Sequence, residues 1–126
     1  MATNSATREQ VEQFLQLFKE RTRWTNPRIF YLDSRPKNTH ILATLGITPM
    51  TRDEVILGLT PEDYYQGPAP NDLTGQGDVW MFGKRINGTE VYIKIYINRL
   101  PDSANVCISF HPAEHPLTYP LKNQTP

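Results

Sequence analysis

The sequence predicts an α+β fold in which N-terminal helices pack on a small antiparallel β-sheet. Three observations carry this prediction: apolar residues recur at helical spacing within residues 1–66, strand-like segments follow in residues 79–111, and Asn87-Gly88 separates the first two of these segments. The 126 residues are one domain's worth of chain, so we expect a single domain that ends in a proline-rich tail, residues 112–126.

Composition and charge exclude several classes of protein. Charged residues make up 21% of the chain and hydrophobic residues 38%, which fits neither a disordered nor a membrane protein. Thirteen basic residues balance thirteen acidic ones, so strong overall attraction to nucleic acid is excluded, whereas a local basic site is not. Cys107 is the only cysteine, and residues 1–7 lack the pattern of a secretory signal; both features predict a cytoplasmic protein.

The first half of the chain contains signals for four helical segments. A capping box at residues 7–10 begins the first helix, and its apolar face follows at helical spacing: Val11, Phe14, Leu15 and Phe18. The second helix is predicted from about Pro36 to Leu45 and ends at Gly46. A second capping box, at residues 51–54, begins the third helix, and residues 60–63 form one further turn.

Strand signals follow a different pattern. Residues 28–32 form a short β-prone run, whereas residues 67–77 are predicted to be a loop because glycine and proline are frequent there. The segments 79–86, 89–97 and 104–111 are rich in β-branched and aromatic residues and are predicted to be strands.

The Asn87-Gly88 pair fixes the register of the predicted hairpin, because both residues tolerate the positive φ angles of a two-residue type I′ turn. Ile86 then faces Thr89, and counting outward sorts the residues onto two faces. One face is apolar and is predicted to face the core: Trp80, Phe82, Val91, Ile93, Ile95 and Ile97. The opposite face is mostly polar: Met81, Gly83, Arg85, Glu90, Tyr92, Lys94 and Tyr96.

The third predicted strand extends both faces. We expect its apolar set to join the core: Val106, Ile108 and Phe110. Ser109 and His111 then join Tyr92 and Lys94 on the polar face if the strands pair, and Cys107 has the same polar parity. An ordinary solvated face is one explanation. Two tyrosines that flank a lysine also form a stacking surface beside a phosphate-binding charge, and the residues leave both interpretations open.

Several blocks of the sequence resemble the MqsR family of bacterial toxins, mostly within residues 50–120. The blocks are VILGLTPEDYY at 55–65, VW at 79–80, VYIKI at 91–95 and ISFH at 108–111. The resemblance implies a RelE-like toxin fold and the function of an mRNA interferase, an endoribonuclease of a type II toxin–antitoxin system. It further implies that mRNA is cut without a metal or cofactor, and that a cognate antitoxin protein silences the toxin.

The resemblance also suggests roles for individual residues. Tyr92 matches the functional tyrosine of the family, and Lys94 follows it on the same predicted face. His111 stands where the best-known member has a functional lysine, Met81 where that member has a glutamine, and Gln66 where it has a lysine. A histidine is a suitable replacement there, because histidine ionises near neutral pH and can move a proton.

Metal-free cleavage of RNA uses the 2′-hydroxyl of the substrate as nucleophile, so the enzyme needs a base, an acid and cations around the phosphorane. We predict that His111 is the general acid or base and that Lys94 and Arg85 stabilise charge. Tyr92 is predicted to donate a proton or to stack on a base. Six further residues are predicted to bind substrate: Gln66, Met81, Lys84, Tyr96, Ser109 and His115.

Plainer explanations stay open at this point. Tyr92 can be a cross-strand packing partner, the two cations ordinary surface charges, and His111 the end of a strand before Pro112. The chain can also be a catalytically impaired toxin homologue that binds RNA or a protein. The sequence HPAEH at 111–115 fits a pattern of some zinc peptidases, but its bracketing prolines leave at most one helical turn, and no third ligand follows.

Overall fold

The computed structural model describes residues 6–32, 40–71, 75, 77–100 and 102–122. Helices α1, α2 and α3 span Arg8–Arg21, Ile41–Leu45 and Pro49–Leu57, and a short 3-10 turn spans Pro61–Asp63. The strands are β1 Ile29–Tyr31, β2 Tyr64–Ala69, β3 Val79–Ile86, β4 Thr89–Tyr96 and β5 Asn105–Pro112. They form one sheet in the order β1-β5-β4-β3-β2, which confirms the predicted α+β class.

Helix α1 begins and packs as predicted. The Thr7 hydroxyl accepts a hydrogen bond from the Gln10 amide at 3.1 Å, and the Gln10 side chain accepts one from the Thr7 amide at 2.9 Å. This reciprocal cap satisfies two backbone donors that have no partner inside the helix. The apolar stripe of the helix is buried against the sheet: Val11, Phe14, Leu15 and Phe18.

The starts of the other two helices differ from the prediction. Helix α3 begins at Pro49, before the predicted start at Thr51, because the Thr48 hydroxyl caps it and proline suits the first helical position. Helix α2 begins at Ile41, directly after His40, whose φ of 62° is not helical. The predicted start of that helix at Pro36 lies outside the described residues. The predicted turn at residues 60–63 is confirmed as the 3-10 turn.

The sheet is mixed, so the prediction of a purely antiparallel sheet was wrong. Strand β1 pairs with β5 in parallel, while the other pairs are antiparallel. The predicted loop at 67–77 was also wrong in its first part, since Gly67–Ala69 belongs to β2. This strand lies at the edge of the sheet and its register shifts twice, and an irregular edge strand accommodates glycine and proline.

The β3–β4 hairpin has the predicted register along its whole length. Ile86 pairs with Thr89 at the turn, and Trp80 pairs with Ile95 at the far end. The turn residues Asn87 and Gly88 have φ angles of 49° and 86°, as a type I′ turn requires. Four residues of the predicted core face are fully buried, namely Phe82, Val91, Ile93 and Ile95, and Trp80 and Ile97 pack against them.

Strand β5 contains a bulge that the alternating pattern did not reveal. Lys94 pairs with Ser109, but the next pair joins Ile95 to Cys107, so Ile108 is an extra residue on the β5 side. A bulge of this kind reverses the alternation of faces beyond it, because two residues of one strand oppose one residue of the other.

The bulge corrects the predicted faces of the third strand. Cys107 lies in the main core instead of on the polar face, whereas Val106 and Ile108 leave the core. Phe110, on the near side of the bulge, is in the core as predicted. The face opposite the core is therefore partly apolar, with a second buried cluster toward one end: Val79, Met81, Tyr96, Val106 and Ile108.

The two faces of the sheet are covered differently. Residues of α1, α2 and α3 pack on the face that carries Phe82 and Ile93, which we call the core face. The opposite face, which carries Tyr92, Lys94 and His111, is called the pocket face below. Among the described residues, no helix is long and apolar enough to cross a membrane.

Candidate active site

The pocket face holds a cavity of about 320 Å³, which we call the sheet pocket. Strand β2 contributes two of its lining residues, β4 and β5 contribute two each, and the segment after β5 contributes three: Tyr65, Gln66, Tyr92, Lys94, Ser109, His111, Glu114, His115 and Leu117. Polar and titratable side chains dominate this lining, unlike the core face of the same strands.

The floor of the sheet pocket is built by the pairing of β4 with β5. Tyr92 pairs directly with His111, and Lys94 pairs directly with Ser109, so their side chains share one face. The centres of the Tyr92 and His111 rings are 5.4 Å apart, and the Tyr65 ring meets Tyr92 edge to face at 6.3 Å. An imidazole, two phenols and an ammonium are therefore gathered around one small cavity.

The orientation of the His111 ring determines which nitrogen can act as a base. The ring is buried, and its Nδ1 lies 2.9 Å from the backbone oxygen of Pro112. A carbonyl oxygen can only accept, so Nδ1 carries the hydrogen of this bond. In the neutral ring the lone pair is then on Nε2, which is the arrangement that a general base requires.

Lys94 provides the positive charge of the sheet pocket. Its side chain is half-buried beside Ser109, and it lines the pocket together with the carboxylate of Glu114. Phosphate is an anion that a compact ammonium binds well, so Lys94 is the lining residue suited to an anionic ligand.

The chain after β5 crosses the pocket face instead of forming a separate tail. We call residues 113–122 the strap. The Ala113 amide donates to the backbone oxygen of Glu90 at 2.8 Å, and the Leu117 amide donates to Glu90 Oε1 at 3.1 Å. The Tyr119 hydroxyl donates to Glu90 Oε2 at 2.6 Å. One residue of β4 therefore holds the strap at three points.

These hydrogen bonds change the ionisation of both partners. The hydrogen bond from the Tyr119 hydroxyl, together with the bond from the Leu117 amide, lowers the pKa of the Glu90 carboxyl. Partial burial and the same bond to Glu90 raise the pKa of Tyr119. Near neutral pH, the hydrogen-bonded pair of Glu90 and Tyr119 therefore consists of a carboxylate and a neutral phenol.

Gly83 of β3 leaves the space in which the strap packs on the sheet. A Cβ atom built at Gly83 would overlap the Tyr119 hydroxyl and would lie 2.6 Å from Leu117 Cδ1. A larger residue at this position would force the Tyr119 and Leu117 side chains to shift, so the glycine leaves the space that they occupy.

Six of the predicted site residues line the sheet pocket: Gln66, Tyr92, Lys94, Ser109, His111 and His115. Arg85 does not, so the structure does not bring this predicted charge stabiliser together with Lys94. Its guanidinium donates to the Gly88 oxygen at 3.0 Å, and the residue lines a different cavity together with Tyr119 and Lys122. Leu117 lines the sheet pocket with Lys94, and Tyr119 lines the other cavity with Arg85. The strap therefore lies between Arg85 and Lys94.

Three residues predicted to bind substrate also lie elsewhere. Lys84 lines the cavity of Arg85, where its ammonium is 3.4 Å from an Asp63 carboxylate oxygen. Met81 and Tyr96 are buried in the second apolar cluster. The correct face was predicted for the latter two residues, but the structure buries them there.

The sequence prediction missed Tyr65, Glu114 and Leu117, which complete the lining. Tyr65 directly precedes the predicted Gln66 in a strand that the composition concealed. Glu114 adjoins His115 in the proline-rich segment, where no periodic pattern indicates which way a side chain points.

The residues of the zinc-peptidase pattern do not lie on a helix. His111 is in β5, and residues 113–119 are irregular, so the shared helical face that this motif needs is not formed. Within the described part of the chain, no group of three or more His, Cys, Asp or Glu side chains is arranged to hold a metal ion.

Comparison with known proteins gives no relative: no protein-family model, no curated protein and no solved structure matches this chain. The sheet pocket and the sequence blocks are therefore the features of this chain that indicate a function.

Proposed function

We propose that this protein is a metal-independent endoribonuclease, an mRNA interferase with a RelE-like fold and of the MqsR type. The observation that carries the proposal is the sheet pocket, in which His111, with its Nδ1 bonded to the Pro112 oxygen, lies beside Tyr92 and Lys94. These side chains supply a proton acceptor and a phosphate-binding cation. Both are needed for cleavage by the substrate's own 2′-hydroxyl.

The proposed reaction begins when His111 Nε2 takes the proton of a ribose 2′-hydroxyl. The 2′-oxygen then attacks the adjacent phosphorus, and the bond from phosphorus to the 5′-oxygen breaks. The Lys94 ammonium stabilises the negative charge that develops on the phosphorane oxygens, a role worth roughly 10²–10³-fold in comparable sites. The products are a 2′,3′-cyclic phosphate and a 5′-hydroxyl end.

The tyrosines of the sheet pocket fit the binding of an unpaired base. Tyr65 and Tyr92 line the pocket together and meet edge to face, and aromatic rings of this kind are surfaces on which a base can stack. Stacking of a base on an aromatic ring contributes about 1–3 kcal/mol and tolerates different sequences. Binding of this kind selects single-stranded RNA, because paired bases cannot enter a cavity of about 320 Å³.

Cleavage of a defined RNA by the purified protein tests this proposal. A single-stranded RNA is incubated with the protein in excess EDTA, and the ends of the fragments are identified by mass spectrometry. We expect 2′,3′-cyclic phosphate and 5′-hydroxyl ends, and no cut at positions carrying 2′-deoxyribose. Cleavage that requires added metal, or that proceeds at 2′-deoxyribose, would contradict the proposed chemistry.

A cognate antitoxin is the proposed partner, and translation is the proposed target in the cell. Expression of the chain alone should stop growth and shorten cellular mRNA, and co-expression of an adjacent open reading frame should restore growth. Growth that is unaffected by a soluble, folded product would argue against a toxin.

A second function is favoured by one observation. Met81 stands where the best-known MqsR member has a glutamine, and it is buried in the apolar cluster outside the sheet pocket. A chain without that amide could bind RNA or a protein without cutting. Retarded migration of intact RNA, with no fragments after long incubation, would favour this binding module over the nuclease.

A further inference from the structure

The sheet pocket is lined by a second imidazole, that of His115 on the strap. Its ring has the same backbone partner as that of His111: Nδ1 lies 3.1 Å from the backbone oxygen of Pro116, the next residue. The carbonyl can only accept, so Nδ1 donates and Nε2 is the nitrogen left for other partners. The same cavity is thus lined by two His-Pro pairs, each with Nδ1 bonded to the following backbone oxygen.

We propose that His115 is the general acid of the cleavage reaction and that the strap exists to bring it into the sheet pocket. This inference rests on the proposed nuclease function. It assigns the proton donor for the leaving 5′-oxygen, a role that the reaction above gives to no residue. His111 is buried in the sheet and takes the first proton, while His115 is exposed to solvent and can reach the leaving 5′-oxygen of a bound strand.

The proton balance of the step is complete with these two groups. Neutral His111 accepts the 2′-hydroxyl proton at Nε2 as the bond between the 2′-oxygen and phosphorus forms. The bond from phosphorus to the 5′-oxygen breaks, the electron pair stays on that oxygen, and protonated His115 gives it the proton from Nε2. One imidazole ends protonated and the other neutral, so no further reactant is needed.

The position of His115 depends on the hydrogen bonds that hold the strap to β4. His115 lies between Ala113 and Leu117, and the amides of both residues are held by Glu90 of β4. Gly83 leaves the space in which Leu117 and Tyr119 sit. Glu90 and Gly83 are therefore positioning residues that act through the strap and do not touch the substrate.

Several ionisable groups surround His115 and will shape any pH profile. Strand β4 contributes Glu90 and Lys94, and β5 contributes His111. The strap itself contributes Glu114, and the phenols of Tyr65, Tyr92 and Tyr119 complete the set.

A change of leaving group provides the test of an acid, because a thiolate leaves without a proton. The substrate is an RNA whose scissile 5′-oxygen is replaced by sulfur, and its cleavage is compared with that of ordinary RNA. His115→Ala should lower cleavage of ordinary RNA by roughly 10²-fold or more, yet cleave the sulfur substrate at close to the wild-type rate. His111→Ala should stay impaired on both substrates, since its proton is taken from the nucleophile.

His40→Asn is the matched control, because His40 caps α2 and does not line the sheet pocket, and asparagine tolerates its positive φ. It should leave both rates unchanged. Equal losses on both substrates in His115→Ala would overturn the acid role and indicate a structural one, as would a wild-type rate on ordinary RNA. If the wild-type chain cuts neither substrate, the nuclease proposal itself fails, and this inference fails with it. Limited proteolysis of His115→Ala should show the strap as protected as in the wild type.

Discussion

Around Tyr92 and Lys94, the two faces of the same sheet differ in character, although they are built by the same strands. On the core face, Phe82, Val91, Ile93 and Ile95 are fully buried under the helices. On the pocket face, Lys94 and Tyr92 are only half-buried, and a single irregular strap covers part of the surface. Because side chains alternate along a strand, the same strands place stabilising apolar residues on one face and polar residues that can bind or react on the other.

The largest effect on stability is expected from the core face. Phe82→Ala removes a fully buried ring that packs on Phe14, and comparable truncations cost about 3–5 kcal/mol of unfolding free energy. Urea denaturation followed by fluorescence measures the loss. Gln66→Ala is the control on the pocket face, because it truncates an exposed side chain that lines the sheet pocket, and we expect its unfolding midpoint to stay close to that of the wild type. Equal losses in the two variants would remove the distinction between the faces.

The converse effect is expected for activity. Lys94→Met keeps most of the side-chain volume but removes the charge, so RNA cleavage should fall by roughly 10²–10³-fold while the unfolding free energy changes by about 0.5 kcal/mol or less. Single-turnover kinetics on a short RNA measures the rate. Lys122→Met removes a cation that lines the other cavity, and it should cleave at the wild-type rate. Similar losses in both variants would indicate that overall charge matters, not the pocket.

A smaller effect is expected where the strap meets the sheet. Gly83→Ala places a methyl group against Leu117 and Tyr119, and overpacking of this kind costs about 1–3 kcal/mol. Thermal unfolding measures the cost, and proteolysis between residues 113 and 122 should accelerate. In a Tyr119→Ala background the added cost should be clearly smaller, because part of the overlap is gone. Strictly additive losses would show that the strap does not sit on Gly83.

The smallest effect concerns the pH dependence of the strap. The Tyr119 hydroxyl, followed by the Leu117 amide, lowers the pKa of Glu90, so the folded state binds this proton more weakly than the unfolded chain. The stabilisation is present above the ordinary carboxyl pKa of about 4.5 and is lost as the pH falls through the lowered value. Hydrogen exchange of the strap should therefore accelerate below that pH in the wild type.

Glu90→Gln should abolish this particular pH dependence, because its amide does not titrate. The strap of that variant should exchange at a rate that changes little, beyond the intrinsic chemistry of the amides, as the pH is lowered from above 4.5 through the range in which the wild-type carboxyl titrates. A wild-type strap with the same flat profile would show that the Glu90 carboxylate does not hold it.

The parts of the fold that depend on local signals could be predicted from the sequence. The capping box at Thr7 and the turn at Asn87-Gly88 each act over a few residues, so the residues themselves determine the geometry. The turn then fixed the register and placed Tyr92 and Lys94 correctly on one face. Strand alternation also placed His111 correctly on this face, because the β5 bulge lies beyond Ser109 and does not interrupt the pairing of His111 with Tyr92.

The remaining features depend on contacts between distant parts of the chain. The bulge at Ile108 is determined by packing on two sides, and no local signal in the sequence distinguishes it. Strand alternation places Arg85 on the same face as Lys94. Alternation predicts the face of a residue but not which cavity on that face the residue lines. The strap crosses between Arg85 and Lys94 because Tyr119 reaches Glu90, a contact over 29 positions of sequence that no periodic pattern encodes.

The most direct test of the account is the single-turnover rate of His111→Ala on an RNA that the wild-type protein cuts in EDTA. The central claim is that the His111 imidazole, held by Pro112 beside Tyr92 and Lys94, takes the proton of the 2′-hydroxyl. We predict a rate roughly 10²–10⁴-fold below the wild type, with the melting temperature little changed and His40→Asn unaffected. A folded His111→Ala protein that cuts RNA at the wild-type rate would contradict the account.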